Sequence, residues 1–131
     1  IIEIQRKLGG ISLDLKMETL GNNLIIRLAG ELDHHSSENV RMKIDNAYKG
    51  KNLTNMVMDL NNLTFMDSSG IGLIMGRYAH TIEENGILLI ACDNERIKRI
   101  LDMAGLLKII KLYPSLESAI KNIKEVNNYG K

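Results

Sequence analysis

The chain has 131 residues, a length that suits one domain with a substantial hydrophobic core. Its 17 Lys and Arg nearly balance 16 Asp and Glu, for a formal net charge of +1, and no basic cluster is interleaved with aromatics, so nucleic acid is excluded as an expected partner. No apolar run reaches the roughly 18 residues that span a bilayer and no leader with a cleavage site stands at the start, so no membrane partner is expected and the chain reads as soluble and cytoplasmic.

Residues 1–11 are set outside the fold as a leader or disordered extension, residues 12–127 form the domain, and residues 128–131 are a polar tail. From Leu13 to Met17 apolar and polar side chains alternate, and Leu24 to Leu28 is an apolar run broken by Arg27. These are two strands joined by a turn at Gly21-Asn22-Asn23, an opening hairpin. Val40, Ile44, Ala47 and Tyr48 recur at helical spacing and Gly50 sits where a helix stops, which predicts a first helix after Asp33. Met56-Val57-Met58 is continuously apolar, as in a central strand covered on both faces, and leads through Leu60 and Leu63 to a turn at Asp67.

A second helix follows at once, with Ile71, Ile74, Met75, Tyr78 and Ile82 on its expected inward stripe. Ile87 to Ala91 reads as a buried strand, and Asn94 caps a third helix with Ile97, Ile100, Leu101 and Ala104 inward and Gly105 at its end. Ile109 to Leu112 is a last strand, Pro114 and Ser115 open a turn, and Leu116, Ala119, Ile120 and Ile123 define a last helix. Strands alternating with helices predict an α/β fold, a mixed sheet of about five strands with about four helices.

The chemistry concentrates at Asp67-Ser68-Ser69-Gly70, where two hydroxyls stand at a helix N-terminus. Unpaired N–H groups and the positive end of the helix dipole stabilise an anion there, so Ser68 or Ser69 can accept a phosphate. The plainer alternative is that Asp67, Ser68 and Ser69 only cap the helix. Gly70, Gly72 and Gly76 fit neither the dinucleotide fingerprint nor the P-loop, and close helix packing explains them better. A nucleophilic triad of Ser68, His34 or His35, and Asp33 or Asp67 lacks the G-x-S-x-G elbow, so no enzyme is expected. Cys92, the one cysteine, lies in an apolar run, and the His pair has no further Cys or His nearby. No metal site and no cofactor are therefore expected. Leu73 falls opposite the core stripe beside Ser69, Arg77 and His80, as an exposed candidate hot spot for a docking protein. Met56, Met58, Met66 and Met75 read as core filler.

Two motifs, GELDHH at Gly30 to His35 and TFMDSSGIGLIMGRY at Thr64 to Tyr78, resemble the STAS domain of the anti-sigma factor antagonists (anti-anti-sigma factors), in its sporulation form. The resemblance runs from Leu13 to Val126. It implies a single STAS domain whose unphosphorylated form binds an anti-sigma factor serine kinase with bound nucleotide and so releases a sigma factor for sporulation transcription. It further implies that this kinase phosphorylates the first Ser of the motif, here Ser68, and that a PP2C-type serine phosphatase reverses the step. Asp33, His34, Asp67, Ser69 and Gly70 match the family's kinase-docking surface, to which Leu73 is added from its wheel position. The alternative is a STAS scaffold or sensor module of a stress-response pathway.

Overall fold

A computed structural model of the chain describes the backbone of residues 2–8, 11–50 and 52–129, and the side chains of 13–50 and 52–123. Its elements are β1 (Ile2–Leu8), β2 (Ile11–Leu20), β3 (Asn23–Leu32), α1 (Ser37–Tyr48), β4 (Asn55–Met66), α2 (Ser68–Glu83), β5 (Leu88–Ala91), α3 (Glu95–Met103), a short 3-10 turn (Leu106–Lys108), β6 (Lys111–Tyr113) and α4 (Leu116–Tyr129). The α/β architecture with a mixed sheet is the expected one. The sheet has six strands, however, because Ile2–Leu8 pairs antiparallel with β2, where the sequence reading set a leader. Of the remaining residues assigned to that leader, Ile1, Gly9 and Gly10 lie outside the described residues, as do Gly130 and Lys131 of the expected tail. The last helix runs on to Tyr129, through residues read as tail.

Strand order follows chain order, with β1, β2 and β3 antiparallel and β3 to β6 parallel. The hairpin between β2 and β3 closes at the pair Leu20 and Asn23, and Gly21 takes the left-handed φ of +62° that such a tight turn requires. Each parallel step needs a crossover, and α1, α2 and α3 supply the three. Parallel strands added always in the same direction put their crossovers on one face. The other face is covered by α4, which follows the last strand.

Period-two alternation sorts the strand residues between these layers. Leu24, Ile26 and Leu28, with Met56, Met58, Leu60, Leu88 and Ile90, join Val40 and Ile44 of α1, Leu73 and Ile74 of α2, and Ile97 and Leu101 of α3 in the larger core. Ile25, Val57, Leu89 and Ala91 face the other way and meet Ala119 and Ile123 of α4. Central strands covered on both faces thus explain the continuous apolar runs in the sequence. Cys92 packs in the larger core at 1% exposure, and burial pushes its thiol above the ordinary value.

A polar contact locks three strand ends together. Asn55, 3% exposed, donates to the buried Asn23 Oδ1 at 2.8 Å and accepts from the Ile87 N–H at 2.9 Å. Gly86 precedes this contact, and a Cβ there would collide with the Thr54 carbonyl. Asn55→Ala leaves the Ile87 donor and the Asn23 amide without these partners, so it is expected to cost about 1–3 kcal/mol in urea unfolding. A change within about 0.5 kcal/mol, the range of neutral surface substitutions, would contradict this role.

Candidate functional site

The parallel pairing of β3 with β4 brings two strand-to-helix junctions side by side, since Leu32 and Met66 are register partners at the ends of these strands. The carboxyl ends of parallel strands are where α/β sheets place their sites. At the first junction Asp33 is buried and its Oδ1 accepts from the N–H groups of His35 (2.9 Å) and Ser36 (3.2 Å). Ser36 Oγ accepts from the Asp33 N–H at 3.1 Å and Ser37 Oγ donates to the Asp33 carbonyl at 2.7 Å, closing a tight turn ahead of α1. The helix therefore starts at Ser37, and Asp33 caps the turn that feeds it. Burial pushes the Asp33 carboxyl up, but the N–H donors of His35 and Ser36 and the His35 imidazole outweigh it and hold the group below the usual carboxylate range.

At the second junction Asp67 is the N-cap of α2. Its Oδ1 accepts from the Ser69 N–H at 2.9 Å, and its N–H donates to the Leu32 carbonyl at 3.3 Å. Its Oδ2 accepts from the His34 N–H at 3.3 Å and lies 3.9 Å from His34 Nδ1. One carboxylate thus caps a helix and bridges to the neighbouring junction. The His34 and His35 rings lie against each other, tilted by 38° with centroids 3.9 Å apart, on the exposed side of the turn.

Ser68 opens α2 and is exposed, whereas Ser69 is half-buried and its N–H is used by the cap. Gly70 is buried, and a Cβ there would drive into Met66 and press on Leu32 Cδ2 at 3.2 Å. Close packing therefore accounts for Gly70. It does not account for Gly72 or Gly76, where an added Cβ meets open space.

Leu73 departs from the sequence expectation. It is 4% exposed, inside the larger core, because α2 turns Gly70, Leu73, Ile74, Arg77 and Thr81 inward. Met75, expected in the core, is 37% exposed and Ile82 54%. α2 instead turns Arg77 inward, with its Nε 3.0 Å from Asp45 Oδ1 of α1, and this orientation leaves part of its apolar stripe exposed. Leu73 instead floors a shallow hollow of about 280 Å³ with His34, Ser37, Glu38, Arg41, Ser69 and Gly72.

The site thus contains Ser36, Ser37 and Arg41, which sequence reasoning did not single out. Phe65, 44% exposed just ahead of the second junction, is another. Serines three and four residues after an Asp are a capping pattern that could have signalled the turn. Among the described residues no group of three or more His, Cys, Asp or Glu could hold a metal ion, and no helix is long and apolar enough to cross a membrane.

Residues 14–119 match the STAS domain family model. An anti-sigma F factor antagonist of Paenibacillus polymyxa is 40% identical over 117 residues, which cover 89% of this chain and all of that protein. The anti-sigma-B factor antagonist of Bacillus subtilis is 29% identical, over 85% of this chain and 98% of its own length. Among solved structures, the anti-sigma factor antagonist SpoIIAA in its unphosphorylated form superposes with a TM-score of 0.75 at 29% identity, covering 85% of this chain and 96% of that one. SpoIIAA of Bacillus in its phosphorylated form gives 0.68 at 30%, covering 83% and 98%.

Two outcomes follow from the local geometry. Leu73→Ala should lower stability by about 2–5 kcal/mol in denaturant titration, as for a buried leucine, and a loss below about 0.5 kcal/mol would restore it to the surface. The depressed Asp33 carboxyl adds stability above the unfolded value of about 4, and this is lost as pH falls through its folded value. The stability of the wild type relative to Asp33→Asn should therefore be flat above about pH 5 and fall below about pH 4, whereas an acid-insensitive difference would contradict the assignment.

Proposed function

The chain belongs to the STAS-domain family of anti-sigma factor antagonists, and from that premise we propose that its two adjoining junctions form a phosphorylation-controlled docking surface. In the unphosphorylated state the turn at Asp33 and His34, together with Asp67, Ser69 and Gly70, receives an anti-sigma factor serine kinase carrying its nucleotide. The sigma factor that the kinase held, one for sporulation transcription, is then released. Ser68 is the acceptor, and a PP2C-type serine phosphatase returns the protein to its binding form in the cytoplasm. Leu73 contributes as the floor of the hollow beside Ser69, not as a projecting anchor. The protein acts by binding and carries no catalytic group of its own.

The observation that carries this reading is the exposure of Ser68 at the first position of α2, next to a Ser69 that is half-buried and tied into the cap. A transferred phosphoryl group adds about −1.5 to −2 charge at neutral pH, directly beside the Asp67 carboxylate. The positive end of the α2 dipole stabilises that charge in place by about 0.3–1 kcal/mol, so no refolding is needed. A partner whose own bound nucleotide is anionic is then repelled. About a hundredfold loss of affinity corresponds to only about 2.7 kcal/mol, within the range for like charges brought together at an interface.

The second reading is a STAS scaffold or sensor module of a stress-response pathway. Incubation with an anti-sigma factor serine kinase and ATP separates the two. One phosphate on Ser68, located by mass spectrometry and absent from Ser68→Ala, is the expected result. Phosphate on Ser69 alone would reverse the acceptor assignment, and no phosphate from a kinase active on a control substrate would favour the scaffold.

A further inference from the structure

α2 leaves part of its apolar stripe exposed. Met75 and Ile82 stand well exposed while Arg77, a guanidinium, is 5% exposed and Thr81 is fully buried. Desolvating a cation is costly unless an anion meets it, and here the anion comes from the neighbouring helix: Arg77 Nε lies 3.0 Å from Asp45 Oδ1 of α1. The contact is a close approach of charges and not an aligned hydrogen bond, since Arg77 Nε and Nη1 and Asp45 Oδ1 have no hydrogen-bond partner among the described residues. Asp45 also faces Arg41 Nη1 at 3.4 Å and His80 Nδ1 at 3.5 Å, and Glu38 holds Arg41 through two contacts of 2.7 and 2.8 Å.

Apolar contacts between two helices tolerate a small roll or slide, whereas a roll of α2 would carry the Arg77 cation away from the Asp45 carboxylate that it approaches at 3.0 Å. A helix is stiff over the two to three turns between Arg77 and Ser68, so a roll of α2 at Arg77 is carried to its first residue. We propose that Arg77 is a positioning residue of the docking surface: its pair with Asp45 fixes the rotation of α2 about its axis and thereby the direction in which Ser68 is presented. The functional part of this inference rests on the docking reading above; the geometric part does not.

The test replaces both charges together with neutral amides, Arg77→Gln with Asp45→Asn, so that no buried charge is orphaned. With the far-UV spectrum of the wild type retained, α2 is expected to roll Met75 inward, so that its methyl resonance is protected from a soluble paramagnetic probe. The affinity for the nucleotide-loaded kinase, by calorimetry, should fall at least about tenfold, while Arg77→Lys, which keeps the cation, retains most of it. A folded double variant with Met75 still accessible and the Ser68 to Gly70 amide shifts unchanged overturns the proposal. So does a rolled helix that binds the kinase as the wild type does. Should the double variant not fold, Asp45→Asn, at a half-exposed position, is read by the same two measurements with the same outcomes. A wild type that does not bind the kinase sinks the docking reading and leaves the Met75 measurement to decide the rotation.

Discussion

The Asp67 carboxylate is the contact on which the site depends. With one oxygen it satisfies the Ser69 N–H, and with the other it takes the His34 N–H from the adjacent junction. A helix cap contributes about 1 kcal/mol wherever it occurs. This one also sets the distance between two chain segments that are 33 residues apart in sequence. The bridge is possible only because β3 and β4 are parallel neighbours ending level with each other at Leu32 and Met66. Parallel pairing in turn requires the crossover α1 and the two-sided burial that gives β4 its apolar run.

Rigid elements and exposed groups divide the work between them. The residues that shape the site from below, Asp33, Ser36, Ser37, Gly70 and Leu73, are buried. Those available to a partner, His34, His35 and Ser68, are exposed on the same rim. For the proposed switch this division matters, because a charge added to a fixed surface changes recognition without first having to move the backbone.

Much of this was legible in the sequence, and the exceptions have separate causes. Strands covered on both faces announced themselves as Met56-Val57-Met58 and the run ending at Cys92, and Asn94 acts as the cap it suggests, accepting from the N–H groups of Arg96 and Ile97. The first strand was less legible, since the alternation in Ile2-Glu3-Ile4-Gln5 is short and gives way to the charged Arg6-Lys7. The face of α2 was not legible at all. A hydrophobic stripe assigns Arg77 to solvent, whereas in the fold it is buried beside Asp45 of another helix. Leu73 was misplaced with it. Electrostatic pairs between elements distant in sequence leave no periodic trace, so periodicity located the helix but not its rotation.

One surface, the two junctions between β3 and α1 and between β4 and α2, is proposed to receive the partner. Titrating the isotope-labelled chain with a nucleotide-loaded anti-sigma factor kinase and mapping the amide shifts tests it most directly. The largest changes are expected on residues 33–37 and 67–72 while the face covered by α4 is quiet. Changes centred on α4, with both junctions unperturbed, would contradict it.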